Sequence, residues 1–106
     1  MRRKPPQTVV YDPIWEILLS QADPNRRALT QLAGAVRRLR EQRGMTRSEL
    51  AAALGLEEAR VGALEAGRLD PDYALLLALA RALDVRLVEL ASQIEQLARE
   101  EEGDHP

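Results

Sequence analysis

The sequence lacks cysteine and phenylalanine altogether, and histidine occurs only once, at position 105. Without cysteine the chain cannot form disulfides or thiolate metal sites. With His105 as the single imidazole, the central part of the sequence offers no Cys-His or Ser-His pair for nucleophilic catalysis. We therefore expect a protein that is not an enzyme, with no catalytic residues, no metal site and no cofactor.

Aromatic residues are also scarce, at 3% of the 106 residues, whereas hydrophobic residues reach 45% and charged residues 30%. This balance is typical of a soluble globular domain, and a chain of this length holds one domain plus tails. Because alanine, leucine and arginine dominate, helices are favoured over strands. The longest apolar run, residues 73–80, is too short to span a bilayer, so we expect a cytoplasmic protein without a membrane contact.

The formal net charge of −2 conceals an uneven distribution. Residues 26–68 hold nine arginines and five glutamates, a net charge of +4, whereas residues 69–106 carry a net charge of −6. A basic block of this kind suggests an anion-binding face followed by a solvating tail. Solvated helix faces explain the charges equally well at this point.

Capping signals divide the chain into helices. Two Asp-Pro pairs, at Asp12 and Asp23, mark helix starts, since aspartate accepts first-turn amides and proline is tolerated at the first helical position. The apolar periodicity and the glycine stops then predict an all-α protein of five helices plus one short leading helix. The short leading helix is expected at 14–19, and the five others at 24–43, 47–54, 57–66, 73–83 and 87–101.

The segment from 46 to 66 has helix-turn-helix spacing. Thr46 and Glu49 form a capping box that starts the first helix of the pair. Ala51 is small, as the crossing point of two helices requires, and Gly55 supplies the positive φ of the tight turn. Apolar residues fall at the positions that must face the core, namely Leu50, Leu54, Leu56, Val61 and Leu64.

A wider set of motifs surrounds this segment, namely LREQRGMT (39–46), ELA (49–51), LGL (54–56), VGALEAG (61–67), Pro71, LL (76–77), LA (79–80), AL (82–83) and Val85. With these motifs the chain resembles, from about residue 29 to residue 90, the Cro and lambda-repressor-like helix-turn-helix proteins, the XRE family. The resemblance implies a compact five-helix domain that binds operator DNA as a dimer, with helix 57–66 in the major groove. We expect the chain to divide into a basic arm with a short apolar helix (1–23), the helix-turn-helix domain (24–90) and a helix extension with an acidic tail (91–106).

The expected outer side of helix 57–66 is small and smooth. Ala59 and Ala63 can contact a thymine methyl group, and Glu58 can accept a hydrogen bond from a cytosine amino group. Glu57 and Arg60 are the other polar candidates for base contacts. Family members commonly carry serine or glutamine near positions 57 and 58, and two carboxylates there repel phosphate.

Two glycines lie inside predicted helices. Gly34 and Gly62 each cost about 1 kcal/mol relative to alanine. We interpret both as points of close helix packing, and for Gly62 a close approach of DNA is a second explanation.

Arginines supply the phosphate contacts in this interpretation. Arg47 begins the first helix of the pair, where the matching family position commonly meets the DNA backbone, and Arg68 directly follows Gly67. The basic residues 2–4 could reach around a duplex as an arm. Each phosphate neutralised steepens the salt dependence of binding by about 0.9 in a log-log plot.

Two apolar segments outside the motif are candidates for contacts with a partner. Ile14, Trp15 and Leu18 lie on a helix too short to be stable alone, so it must bury itself within the domain, in a dimer or on a partner protein. Leu87, Leu90, Ile94 and Leu97 follow a 3-4-3 spacing, and Leu90, Ile94 and Leu97 are the candidates for a dimer contact, which this spacing favours over packing within one chain.

Together these features predict a sequence-specific transcriptional regulator that binds double-stranded DNA as a homodimer. The alternative is a protein-interaction module, or an antitoxin whose N-terminal segment binds a partner protein.

Overall fold

The computed structural model describes residues 24–103, and these form an all-α domain without strands in the described range. The predicted leading helix, with Ile14, Trp15 and Leu18, lies outside the described residues. The five remaining helices all occur within a few residues of their predicted bounds. They are α1 (Pro24–Gln42), α2 (Arg47–Leu54), α3 (Glu58–Glu65), α4 (Tyr73–Ala82) and α5 (Leu87–Gly103).

The capping signals act as the sequence predicts. The Thr46 hydroxyl accepts from the Glu49 amide at 3.0 Å, and the Glu49 carboxylate accepts from the Thr46 amide at 2.8 Å, which completes the capping box of α2. The Asp72 carboxylate accepts from the Leu75 amide at 2.9 Å and caps α4. By contrast, Glu57 is the N-cap of α3 and makes no side-chain hydrogen bond there, and the helix begins at Glu58, one residue later than predicted.

The helices enclose one hydrophobic core in which α1 is central, since it packs against both α3 and α5. Burial of these apolar side chains is the main stabilising term, at about 1.5–3 kcal/mol for each large one. The fully buried large side chains are Val36, Leu50, Val61, Leu64, Leu79, Leu83 and Leu90.

The position of Leu90 corrects one expectation. Leu90 is 1% exposed and belongs to the core of the single chain, so it has no surface to offer to a second copy and its assignment as a dimer contact is wrong. Ile94 and Leu97 are partly buried against the same core. At least in the first half of α5, the residues with 3-4-3 spacing therefore pack within the domain.

Beyond the core, α5 is held on α1 by polar contacts. Arg38 donates to the Glu100 carboxylate at 3.1 and 3.3 Å, and the Gln31 amide donates to Glu101 at 3.1 Å. The Arg38 guanidinium, through its hydrogen bond above all, lowers the pKa of Glu100. Both side chains of the ion pair are well exposed, so it orients α5 more than it stabilises the fold.

Among residues 24–103, no helix is both long enough and apolar enough to cross a membrane.

Candidate nucleic-acid interface

Helices α2 and α3 are joined by the tight turn that the sequence predicts. Gly55 ends α2 with φ 70° and ψ 30°, a left-handed conformation that favours glycine. The Leu56 amide donates to the Ala51 carbonyl at 2.9 Å and closes the turn. Ala51 itself is 4% exposed, and a larger side chain there would push the packed helices apart.

One side of α3 faces the core and the other faces outward. Val61 and Leu64 are buried, whereas Ala59 is exposed and Ala63 is half-buried. A Cβ atom added to Gly62 would meet no atom within 4 Å. Among the described residues, none lies over Ala59 or beside the Cβ position of Gly62, so this part of α3 is accessible to another molecule.

The same test separates the two interior glycines. A Cβ atom on Gly34 would lie 3.1 Å from Cδ1 of Leu97, so close packing of α1 against α5 explains this glycine. The open space beside Gly62 shows that helix packing is the wrong explanation there. The second explanation, a close approach of DNA at Gly62, stays a prediction.

The predicted polar base-contact residues lie at the start of the same helix. Glu57, Glu58 and Arg60 are all exposed, and Arg68 is exposed beyond the C-terminal end of α3. Arg68 belongs to the turn after this helix, where its amide donates to the Ala63 carbonyl at 2.9 Å. The outer face therefore combines small apolar residues with charges of both signs at the start of α3 and a positive charge beyond its end.

The side chain of Arg47 is also exposed, by 50%, but it forms an ion pair that was not predicted from the sequence. Its Nε donates to Oε1 of Glu65 at 3.1 Å. Glu65 lies in the last turn of α3, and its side chain is only 1% exposed. The first residue of α2 is thus tied to the end of α3.

The same Glu65 carboxylate binds a second arginine. Arg40 donates to it from Nε at 2.6 Å and from a terminal nitrogen at 3.1 Å. A third Arg40 nitrogen donates to the Met45 carbonyl at 2.8 Å. The Glu65 hydrogen bond raises the pKa of Arg40, which favours the charged form of its guanidinium.

This Arg40, Glu65 and Arg47 cluster joins three helices. Arg40 and Glu65 are largely buried, and two opposite charges in such a position need the complete set of hydrogen bonds that they have here. Arg47 adds one positive charge at the surface end of the cluster. The cluster therefore has a formal charge of +1, and its exposed member is Arg47.

A signal for the buried pair was present in the sequence. Arg40 and Glu65 each follow a fully buried valine, Val36 and Val61, by four residues, which is one helical turn. Both charged residues therefore fall on the apolar stripe of their helices. The sequence could therefore place both charges on inner faces, and the packing of α1 against α3 brings them together as a buried pair.

An outward-facing second helix, joined by a glycine turn to a capped first helix, defines the helix-turn-helix class. The HTH_3 helix-turn-helix family model matches residues 36–90, which is just over half of the chain. The protein therefore belongs to the HTH_3, or XRE, family, and the all-α, lambda-repressor-like fold predicted from the sequence is confirmed.

Individual relatives agree with this assignment. The HTH-type transcriptional regulator y4dJ of Sinorhizobium fredii is 37% identical over 59 residues, covering 56% of this chain and 77% of its own length. The restriction-modification controller protein C.AhdI of Aeromonas hydrophila is similar in structure, with a TM-score of 0.57 and 34% identity over 58% of this chain and 94% of its own. The clp gene regulator ClgR of Corynebacterium glutamicum gives a TM-score of 0.63 and 26% identity, covering 65% of this chain and 90% of its own.

Proposed function

We propose that the protein is a transcriptional regulator that binds specific DNA sequences as a homodimer, with α3 in the major groove. The uncovered small-residue side of α3 carries this proposal. A helix enters the major groove most closely where its side chains are short, and the open space at Gly62 allows the helix backbone itself to approach the bases. The similarity to regulators such as y4dJ and ClgR supports the same function.

Base recognition in this proposal comes from the first turns of α3. The methyl groups of Ala59 and Ala63 contact thymine methyl groups, and Glu58 accepts from a cytosine amino group. Arg60 is exposed on the same helix and suits the two acceptors of guanine, while Glu57 lies at the cap. A reader built this way gains its sequence preference from a few polar contacts and close apolar fit.

Arg47 and Arg68 supply the phosphate contacts. Both are exposed, and they lie at the start of α2 and just beyond the end of α3. Positive charges at these places offset the repulsion between phosphates and the carboxylates of Glu57 and Glu58. Phosphate contacts fix the position of the protein on the duplex, whereas the α3 contacts select the sequence.

A homodimer would read two half-sites of a palindrome, about one helical turn of DNA apart or a multiple of it. Since Leu90 is buried, the dimer contact has to come from other residues. Ile94 and Leu97 are partly exposed, and Tyr73 and Val88 are large apolar side chains exposed by 66% and 58%. The N-terminal residues Ile14, Trp15 and Leu18 stay candidates for the same contact or for a protein partner.

Fluorescence anisotropy with random and genomic duplexes at two salt concentrations tests the proposal. We expect salt-dependent binding to all duplexes and tighter binding to a subset. Arg47→Ala should weaken binding to every sequence and reduce the log-log salt slope by about 0.9. Glu58→Gln should change which sequences bind best.

Arg99→Ala is the matched control, because Arg99 is an exposed arginine on α5 and should leave both properties unchanged. If no duplex is bound in a salt-dependent manner, the proposed function as a transcriptional regulator is overturned. In that case the exposed α3 face, with its two carboxylates, would belong to a protein-interaction module or an antitoxin. Exchanged effects of the two variants would mean that Arg47 selects sequence and Glu58 does not.

A further inference from the structure

We infer that Glu65 is a positioning residue for DNA binding, because it holds the Arg47 guanidinium in the orientation that meets a phosphate. The inference rests on the proposed function and assigns a role to a residue that faces the protein interior. Glu65 itself touches no DNA in this arrangement, since its side chain is 1% exposed.

The first step of the argument is that Glu65 is itself fixed. Arg40 grips both of its carboxylate oxygens, at 2.6 and 3.1 Å, and a third Arg40 nitrogen is anchored on the Met45 carbonyl. Two parallel hydrogen bonds from one guanidinium restrict the orientation of a carboxylate more than one bond does. The Glu65 oxygens therefore have a defined place relative to the loop before α2 and to α3.

The second step is that Arg47 uses only part of its guanidinium for Glu65. Its Nε donates to Oε1 of Glu65, and the described structure gives its two terminal nitrogens no acceptor. A guanidinium is planar, so fixing Nε sets the direction of both terminal N–H groups. These are the groups that bind a phosphate in a bidentate manner.

The third step concerns charge. The negative charge of Glu65 is neutralised by Arg40, with which it shares a largely buried pair. Arg47 therefore keeps its positive charge for an outside anion although it is hydrogen-bonded. A flexible arginine loses side-chain entropy when it binds a phosphate, and an arginine already held at Nε loses less.

A double-mutant cycle in DNA binding tests this role. In the wild-type background, Glu65→Gln should weaken binding about tenfold, as loss of one charge-assisted hydrogen bond to a phosphate would. In the Arg47→Ala background, the same change should alter the affinity less than twofold. A purely structural role for Glu65 would instead weaken binding equally in both backgrounds, which would overturn the inference.

Because Glu65→Gln leaves Arg40 without its full partner, circular dichroism must show that the variant is folded. Arg47→Lys provides the second test and leaves the buried pair intact. Lysine keeps the charge, but it has no separate Nε donor with which to hold Glu65 while binding a phosphate. We expect at least fivefold weaker binding than wild type; binding equal to wild type would overturn the inference. If the wild-type chain bound no duplex, the proposed function would fall as well, whereas additive effects on a chain that binds would remove only the role of Glu65.

Discussion

Replacing Gly62 by alanine adds one methyl group, and we expect this change to affect the stability of the fold and the affinity for DNA in opposite directions. It lies in the middle of α3, and a Cβ atom there would meet no atom within 4 Å apart from the backbone of its own helix. Replacing glycine by alanine in a helix lowers the conformational entropy of the unfolded chain, a gain of about 0.5–1 kcal/mol. With no clash to offset this gain, Gly62→Ala should raise the melting temperature by about 2–8 °C for a domain of this size.

The same methyl group should weaken DNA binding. If α3 lies in the major groove with its small-residue side against the bases, the added carbon intrudes into a packed interface. Overpacking of this kind costs about 1–3 kcal/mol, which corresponds to about 5- to 150-fold weaker binding. Thermal denaturation and anisotropy titration with the preferred duplex measure the two effects on the same sample.

Gly103→Ala is the control, because Gly103 also has open space around a new Cβ atom but lies at the end of α5. It should leave DNA binding unchanged. A Gly62→Ala variant that is more stable and binds DNA as tightly as wild type would refute the docking of this face. A variant that is less stable would refute the assignment of open space at Gly62.

Three further predictions concern the fold. Thr46→Ala should lower the free energy of unfolding by about 0.5–2 kcal/mol in urea denaturation through loss of the capping box, and Thr46→Ser should restore most of it. Leu90→Ala should cost about 2–5 kcal/mol by the same measurement, whereas a negligible loss would contradict its place in the core. Glu100→Gln should lower the melting temperature slightly at pH 7. Because Arg38 lowers the pKa of Glu100, the stabilisation is present above the ordinary value of 4.5 and is lost as the pH falls through the lowered pKa. The difference from wild type should therefore vanish in acid, and Glu102→Gln, at a site without an ion pair in residues 24–103, should show no such dependence.

The helix boundaries could be predicted from the sequence because local chemistry sets them. The capping box at Thr46, the left-handed Gly55 and the Asp72 cap each depend on residues within four positions of one another. Such signals do not require knowledge of the rest of the fold. The start of α3 was placed one residue early because Glu57 occupies the cap position without the short side chain that usually marks it.

The cluster around Glu65 was missed because its members are far apart in the sequence. Arg40 and Glu65 are separated by 25 residues, and their pairing requires α1 to pack against α3. Periodicity places each of them on an inner face, but it does not say which inner faces meet. For the same reason, a phosphate contact could be predicted for Arg47, whereas its hydrogen bond to Glu65 could not.

Leu90 shows a different limit of the sequence pattern. An apolar stripe with 3-4-3 spacing indicates that one side of a helix is buried, and the spacing is the same whether the partner is another helix of the chain or a second copy. Here the partner is the domain's own core, at least for Leu90. Only the packing of α5 against α1 could decide this.

The contact at Gly34 has a consequence for how the domain is built around its last helix. Leu97 packs against the position on α1 where Gly34 has no side chain. The two helices can therefore approach more closely there than at a position with a branched residue. A small side chain at Gly34 would be accommodated by a rotation of the Leu97 side chain, but a bulky one would push α5 away from α1. It would move the C-terminal half of α5 away from α1 and break the hydrogen bonds that Arg38 and Gln31 make to that helix. The missing side chain of Gly34 thus allows the last helix of the domain to lie close against the first.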